Sequence, residues 1–535
     1  MPDSESKPAS KEAAAAPKGN GQSMVDKIKK LREARKKLHE AGGPERIAKQ
    51  HEQGKLTARE RVDLLMDRDS FQEMYGFAQH RCTHFGMEGK ELPADGVITG
   101  CGAVGGRLTH VASQDFTVVG GAAGEIHCDK IVEMMKNSLK TGSPFVFIND
   151  SGGARIQEGI DSLAGYGRIF YHNTLLSGVV PQVAMICGPC AGGAAYSPAL
   201  TDFIIQTRFA QMFITGPTVI KQVTGETVTA EELGGPEAHM HYSGVVHFIA
   251  DDDRHAMQIC QKLLSFLPSN NLEDPPILPA PDHVDVDQQL NEIIPANPRA
   301  PFDMHEVIRR VIDNADFLEV QAEYAKNMII GFGRILGRSV GILANQPMEK
   351  AGCLDIDSSD KASRFIRFCN AFNIPLVNLV DVPGFMPGIE QEYGGIIRHG
   401  AKMLFAYSAA TVPKITVILR KAYGGAYLAM CSKDLGADRC ACWPSAEIAV
   451  MGAEGAAEII FRKEIDKAPD KNAKRQEMID LYRNTFSTPY VAAGRRMVDD
   501  VIEPGETRRY LAMALDTLRT KRDIRPQKKH GLIPL

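Results

Sequence analysis

Apolar and polar positions recur along this chain with a helical period first and a mixed period later. Among the charged residues 24–41, Ile28, Leu31 and Leu38 fall on one side, which predicts a helix that Gly42-Gly-Pro44 stops. Two shorter helical stretches follow, 45–53 and 57–65, the second with Thr57 placed as its N-cap. All three read as an attachment to what comes after. Ile131, Met135 and Leu139 then share a helical face, 144–150 is a short apolar run ending in a polar turn, 161–172 reads as a helix, and 182–187 is a second apolar run ending at glycines. The succession returns later as a helix over 362–372, a run over 376–380, a turn, a helix over 394–405, a run over 414–419 and another turn. Short apolar runs alternating with helices predict an α/β fold of parallel strands covered by helices.

The two successions are related by an internal repeat. Ala112-Ser-Gln114 matches Ala344-Asn-Gln346, Val180-Pro181 matches Val412-Pro413, and Gly192-Gly193 matches Gly424-Gly425, each 232 positions apart. Phe147-Ile-Asn-Asp150 with Ser-Gly-Gly-Ala154 matches Asn378-Leu-Val-Asp381 with Val-Pro-Gly-Phe385 at a spacing of 231. So close a register over some eighty residues predicts two copies of one fold unit.

Size and composition agree with that division. The 535 residues are 44% hydrophobic and 24% charged, as in an ordinary globular protein, and suffice for two large domains and a tail. The proline-rich segment 274–282, reinforced by Pro295, Pro298 and Pro301, marks the boundary. This gives a disordered polar arm over 1–22, a first domain over 23–275 and a second over 283–535. With 62 basic and 66 acidic residues the net charge is −4, which gives no reason to expect nucleic acid or an anionic membrane as partner. The eleven cysteines are scattered; Cys187 and Cys190 have no second pair to complete a zinc site, and no metal is expected. Reduced, mostly buried thiols in a cytoplasmic protein are expected instead. The uncharged stretch 173–201 contains Pro181, Pro189 and Pro198, with Gly188, Gly192 and Gly193, and reads as a buried strand and a glycine turn rather than a membrane span.

Four turns carry the candidate chemistry: Ser151-Gly-Gly-Ala154, Ala191-Gly-Gly193, Val382-Pro-Gly-Phe385 and Tyr423-Gly-Gly425. Each follows an apolar run and is expected to open a helix. Glycine there lets a ligand approach the backbone, and two such turns side by side can aim two N–H groups at one oxygen. No Gly-x-Ser-x-Gly, His-Glu-x-x-His or P-loop is present, and Gly100-Cys-Gly102-Ala-Val-Gly105 reads as a β-hairpin turn between extended runs.

Specific stretches resemble the carboxyltransferase subunits of biotin-dependent acyl-CoA carboxylases: Ser113-Gln-Asp-Phe-Thr117, Ile148-Asn-Asp-Ser-Gly-Gly-Ala-Arg-Ile-Gln-Glu158, Gly188-Pro-Cys-Ala-Gly-Gly193, Phe213-Ile-Thr-Gly-Pro217, Leu233-Gly-Gly235, Asn345-Gln-Pro347, Val382-Pro-Gly-Phe385 and Arg420-Lys-Ala-Tyr-Gly-Gly-Ala-Tyr427. Within that family the chain is similar to propionyl-CoA carboxylase β subunits and, in Trp443-Pro-Ser-Ala-Glu-Ile-Ala-Val-Met451, to the core subunit of methylmalonyl-CoA carboxyltransferase. The resemblance implies two tandem crotonase-like ββα superhelical domains, a homo-hexamer, and a site between the first domain of one chain and the second domain of its partner. It implies CO2 transfer between carboxybiotin and the α-carbon of a short acyl-CoA, propionyl-CoA or methylmalonyl-CoA. A methylmalonyl-CoA transcarboxylase or decarboxylase would use the same half-reaction.

The family's roles carry over onto matching positions. Main-chain N–H groups around Ala154, Gly192 and Gly193 would hold the thioester enolate oxygen, and those around Phe385, Gly424 and Gly425 the ureido oxygen of biotin. Leu428 stands where the family selects the acyl chain, with burial at a dimer contact as the alternative. Arg155 would approach a CoA phosphate or pair with Glu158. No Ala-Met-Lys-Met biotinylation site and no ATP-binding glycine loop are present, so a biotin carboxyl carrier protein and a biotin carboxylase, or a second transferase subunit, are expected as partners. A hydratase of the same fold would need a second carboxylate beside Glu158, and a non-catalytic assembly subunit would show degraded turns in one half; neither pattern is seen.

Overall fold

Each half builds its sheet outward from a hairpin. The computed structural model describes residues 23–281, 283–297 and 300–535; the arm expected over 1–22 lies outside the described residues. The first half contains β1 (Gln72–Glu73), β2 (Val97–Val104), β3 (Arg107–Gln114), β4 (Phe145–Ser151), β5 (Gln182–Ala191), β6 (Phe203–Thr207), β7 (Gln211–Phe213) and β8 (Phe248–Ala250). The second contains β9 (Leu318–Val320), β10 (Met328–Ile335), β11 (Arg338–Asn345), β12 (Leu376–Val382), β13 (Lys414–Tyr423), β14 (Arg439–Cys442), β15 (Glu447–Ala449) and β16 (Asp500–Val501). The sheets run β1-β2-β3-β4-β5-β6-β8, with β7 beside β5, and β16-β14-β13-β12-β11-β10-β9, with β15 beside β13. Strands β2–β3 and β10–β11 are antiparallel hairpins; from β3 and from β11 onward the pairing is parallel. These are the two crotonase-like units expected.

The ladders correct the repeat in one place. His110 lies opposite Phe145 as Gly341 lies opposite Leu376, a spacing of 231. Phe145 lies opposite Gln182 as Leu376 lies opposite Lys414, and there the spacing becomes 232. The counterpart of Gln114 is therefore Asn345, not Gln346. The matched letters at 112–114 had slipped one residue, because small and amide residues fit both frames while the hydrogen-bond register does not. A second correction concerns Gly100–Gly105. The hairpin exists, but Gly100 and Gly102 lie within β2, and the turn is Gly105-Gly106, both with positive φ as a two-residue hairpin loop requires. The Asp67 carboxylate accepts from both turn amides at 3.0 and 2.7 Å.

The N-terminal attachment forms α1 (Met24–His39), α2 (Pro44–Glu52) and α3 (Ala58–Leu65). Thr57 caps α3 as expected: its hydroxyl accepts from Glu60 N, and the Glu60 carboxylate accepts from Thr57 N at 2.8 Å. Val62 and Leu65 of α3 are buried in a cluster with Val111 of β3, Val146 and Ile148 of β4, and Met257 of helix Asp253–Phe266. The opposite sheet face, with Ala112, Phe145, Phe147 and Ile186, is covered by α4 (Glu125–Thr141) and α5 (Ile160–Leu176) through Ile131, Met135 and Ile169. Strand β4 is buried along its whole length, so it reads as a continuous apolar run rather than an alternation.

The first cluster continues into the second half. The Phe203 ring meets Phe368 edge-on at 4.6 Å and Phe332 at 5.9 Å, so one core spans both units. A separate cluster packs helices Met304–Val311 and Thr507–Thr517 on the far face of the second sheet. Within the proline-rich segment, Ile277 bridges Arg338 and Leu278 N donates to Gly337 O at 2.9 Å, so this stretch already pairs with the second sheet. Residues 173–201 form the end of α5, then β5 and α6 (Gly193–Ala199); among the described residues no helix is long and apolar enough to cross a membrane.

Candidate active site

The turns after β4 and β12 share one backbone device. Ala123 N donates to Gly153 O and Arg155 N to Ala123 O, both at 2.9 Å, so a single parallel bridge joins Ala123 to Ala154. Such a bridge uses the groups on either side of the bridged residue and turns that residue's own N–H the other way. Leu354 N to Gly384 O at 3.0 Å and Met386 N to Leu354 O at 2.7 Å repeat the arrangement around Phe385. Neither Ala154 nor Phe385 has a backbone acceptor among the described residues. The expectation that all four turns open helices is corrected here. Ala154 and Phe385 sit in extended bridges, and only the glycine turns after β5 and β13 open helices directly.

Those helices are α6 and Gly424–Ala429. Gly193 is the first residue of α6, where a backbone N–H lacks an intrahelical acceptor, and Gly425 is its counterpart; Gly424, the counterpart of Gly192, instead continues the β13–β15 ladder toward Ala449. Gly192 differs from expectation: its N–H donates to Phe213 O at 3.1 Å and extends the β5–β7 ladder, so it is not free for a ligand. Gly192 keeps a conformational role through its φ of +61°, and Gly424 has +60°. The two turns of each half adjoin. A Cβ on Gly153 would lie 3.1 Å from Ala191 O, and one on Gly425 3.9 Å from the Phe385 ring.

Buried charge supports both sites, and sequence reasoning had not assigned it. Asp150, at the end of β4, accepts from Lys55 Nζ at 2.8 Å on one oxygen, and from Arg61 Nη1 at 2.9 Å and Gln50 Nε2 at 3.1 Å on the other. Asp381, its counterpart, accepts from Arg420 Nη2 at 2.8 Å and from Lys421 N at 2.9 Å. Both aspartates had appeared in the repeat as matched letters, which was the available signal. Three consecutive left-handed residues also occur in each half, Val119-Gly120-Gly121 and Lys350-Ala351-Gly352. A Cβ on Gly121 would lie 2.2 Å from Asp150 O, and one on Gly352 2.6 Å from Asp381 O, so these bends press against the same strand ends.

Arg155 is buried and cannot approach a CoA phosphate; the pairing alternative holds. It donates to Asp95 and to Glu158, both at 2.7 Å, and to Ala122 O at 2.9 Å. Burial raises the Asp95 carboxyl above its usual range, with Arg155 opposing. The other Glu158 oxygen accepts from Glu125 N at 2.7 Å, so Glu158 is fully engaged in structure and offers no general acid or base. Leu428 lies on the short helix after Gly425 and is 39% exposed, not buried within the chain. All eleven cysteines are free thiols. Among the described residues no cluster of three His, Cys, Asp or Glu could hold a metal ion.

A model of the carboxyl transferase domain matches residues 49–533. The methylmalonyl-CoA carboxyltransferase 12S subunit of Propionibacterium freudenreichii subsp. shermanii is 60% identical over 511 residues, covering 96% of this chain and 98% of that protein. The methylmalonyl-CoA decarboxylase subunit alpha of Veillonella parvula is 57% identical over 514 residues, covering 96% and 99%. A crystal structure of transcarboxylase 12S, described as a hexamer with methylmalonyl-CoA and methylmalonic acid bound, superposes with a TM-score of 0.95 at 60% identity over 96% of this chain and 99% of that one.

Proposed function

The chain belongs to the carboxyl transferase family, and from that premise we propose that it moves a carboxyl group between biotin on a partner chain and the α-carbon of a short acyl-CoA, interconverting methylmalonyl-CoA and propionyl-CoA. The observation that carries this reading is the pair of outward-turned amides, Ala154 and Phe385, at equivalent places in duplicated units. Removing the carboxylate of methylmalonyl-CoA leaves an electron pair that delocalises onto the thioester oxygen. The Ala154 and Gly193 N–H groups stand ready to donate to that oxygen as its charge develops. In the second half, residues 283–535, the N–H groups of Phe385 and Gly425 would hold the ureido oxygen of biotin. A Cβ on Gly384 would meet nothing within 4 Å, so there is room at that turn. Biotin, when bound, supplies and removes the carboxyl group. The chain's task is orientation and charge stabilisation, which fits the use of Arg155 and Glu158 in structural ion pairs.

The first half, residues 23–275, is the acyl-CoA side, and the two sides meet across subunits. Ile156, Ile160 and Leu163 follow the first turn, and Ile389, Tyr393 and Ile397 follow the second; all are between 67% and 89% exposed in the single chain. Apolar ridges beside both turns support a homo-oligomer in which the halves face one another, a hexamer like that of transcarboxylase 12S. The free thiols support a cytoplasmic setting. Whether the assembly is a carboxylase, a transcarboxylase or a decarboxylase depends on the partner chains that bring biotin.

The test is release of CO2 from methylmalonyl-CoA by the purified chain with free biotin. Gly193→Val should lower the rate about 100-fold or more while the oligomer stays intact, because the new side chain crowds the Tyr166 ring, 3.3 Å from the Cβ position, and blocks the amide. Retained activity in that variant would remove the first-half assignment.

A further inference from the structure

The acyl-side turn is held by cations that the corresponding helix on the biotin side, Met304–Val311, does not supply: the place of Arg61 is taken there by Val307. In the second half the cation on Asp381 comes from the neighbouring strand, as Arg420 of β13. The residue equivalent to Arg420 in the first half is Gly188, by the same 232-residue spacing that relates β5 to β13. Gly188 is empty where an arginine would stand, and the space is filled from the N-terminal helical segment. A Cβ on Gly188 would lie 1.9 Å from Asp150 Oδ1 and 2.7 Å from Lys55 Nζ. Lys55, between α2 and α3, and Arg61, on α3, enter through this gap. Arg61 also donates to Asp253 at 2.8 Å and to Cys187 O on β5 at 3.1 Å. Arg61, Lys55, Asp150 and Asp253 thus form a buried group of two cations and two carboxylates.

Asp150 directly precedes the turn that presents Ala154. Its neighbour Ser151 donates to Gly121 O at 2.7 Å and accepts from Gly153 N at 3.1 Å, so a displacement of Asp150 reaches the turn through one residue. We propose that Lys55 and Arg61 are positioning residues for the acyl-thioester site: the N-terminal helical segment fixes Asp150, and through it the direction of the Ala154 N–H. The identity of the oxygen at that amide rests on the carboxyltransferase reading above; the lock on the turn does not.

The test compares Lys55→Met, Lys55→Arg and Gly188→Ala in the full chain. Gly188→Ala presses a methyl group on the same carboxylate oxygen and on Lys55 Nζ without removing a charge. Hydrogen exchange of peptides covering 151–154 should quicken about tenfold in Lys55→Met and Gly188→Ala, while those covering 382–385 stay unchanged. Methylmalonyl-CoA decarboxylation should lose about 30-fold in kcat with KM within about twofold, since a donor is misaimed rather than a binding contact removed. Lys55→Arg should recover most of the loss. Equal exchange at both turns, or Lys55→Arg as impaired as Lys55→Met, would overturn the proposal. Wild-type chain inactive on methylmalonyl-CoA would count against the proposed function alone, since the exchange contrast decides the lock by itself.

Discussion

Asp150 and Asp381 occupy the same place in duplicated units, and the chain neutralises them in different ways. Asp381 relies on Arg420, the only cation within salt-bridge distance among the described residues, and Lys421 N completes its shell. Asp150 has Lys55, Arg61 and Gln50, all from the N-terminal helical segment rather than from the neighbouring strand. The shared requirement is a buried carboxylate that fixes a strand end; the source of the cation was free to diverge. A half whose carboxylate is held by its neighbouring strand and a half whose carboxylate is held by the N-terminal helical segment therefore present the same outward amide.

The comparison is broken most severely at Arg420. Arg420→Met leaves Asp381 buried without a charged partner, and removal of one member of such a pair costs about 3–5 kcal/mol. Lys55→Met should cost less, because Arg61 and Gln50 still hold Asp150. Denaturant midpoints of the two variants test this ordering. A Lys55→Met midpoint as low as that of Arg420→Met would mean the first half has no redundancy.

Leu428 sharpens the comparison from the substrate side. Its first-half counterpart is Tyr196; the two are 39% and 48% exposed on equivalent short helices. A chain-length filter contributed by the biotin half would face the acyl group only across the subunit contact. Leu428→Asp is expected to change the ratio of acetyl-CoA to propionyl-CoA turnover about tenfold, the discrimination one methylene supports. Competition assays with the two thioesters check it, and an unchanged ratio would leave Leu428 as a contact residue only.

The pattern of short apolar runs and helices exposed most of this architecture before any coordinates. Strands β4, β5, β12 and β13 and the capped α3 fall where the periodicity puts them, because parallel strands buried on both faces leave a continuous apolar signature. What could not be read was anything set by hydrogen-bond register. The one-residue slip at Gln114, the place of the hairpin turn at Gly105-Gly106 and the engagement of the Gly192 N–H with Phe213 all depend on which amide faces which carbonyl. The Asp150 network was hidden for another reason. Its members lie 89 to 100 positions apart, and the emptiness of Gly188 means something only beside Arg420.

The smallest expected effect separates the halves by pH. His305 stands between Asp303 at 2.8 Å and Glu319 at 3.0 Å, tying helix Met304–Val311 to β9; its first-half counterpart is Arg59, which ties α3 to Glu73 of β1 at 2.8 Å and keeps its charge throughout the neutral pH range. The Glu319 carboxylate, opposed by partial burial and joined by Asp303, raises the ring above its ordinary value. A raised folded value means the imidazolium stabilises the native state fully below about pH 6.5, and that this contribution is lost as pH rises through the folded value. Asp303 is held below the usual carboxylate range, so its own contribution fades only in acid, outside that window. These groups are partly exposed, and screening by solvent keeps the effect small. Between pH 6 and 9 the wild-type Tm should therefore fall on the order of 1–2 °C further than that of His305→Gln. Parallel melting curves for the two proteins would show instead that the second sheet, unlike the first with its Arg59–Glu73 pair, holds its outer helix by apolar packing alone.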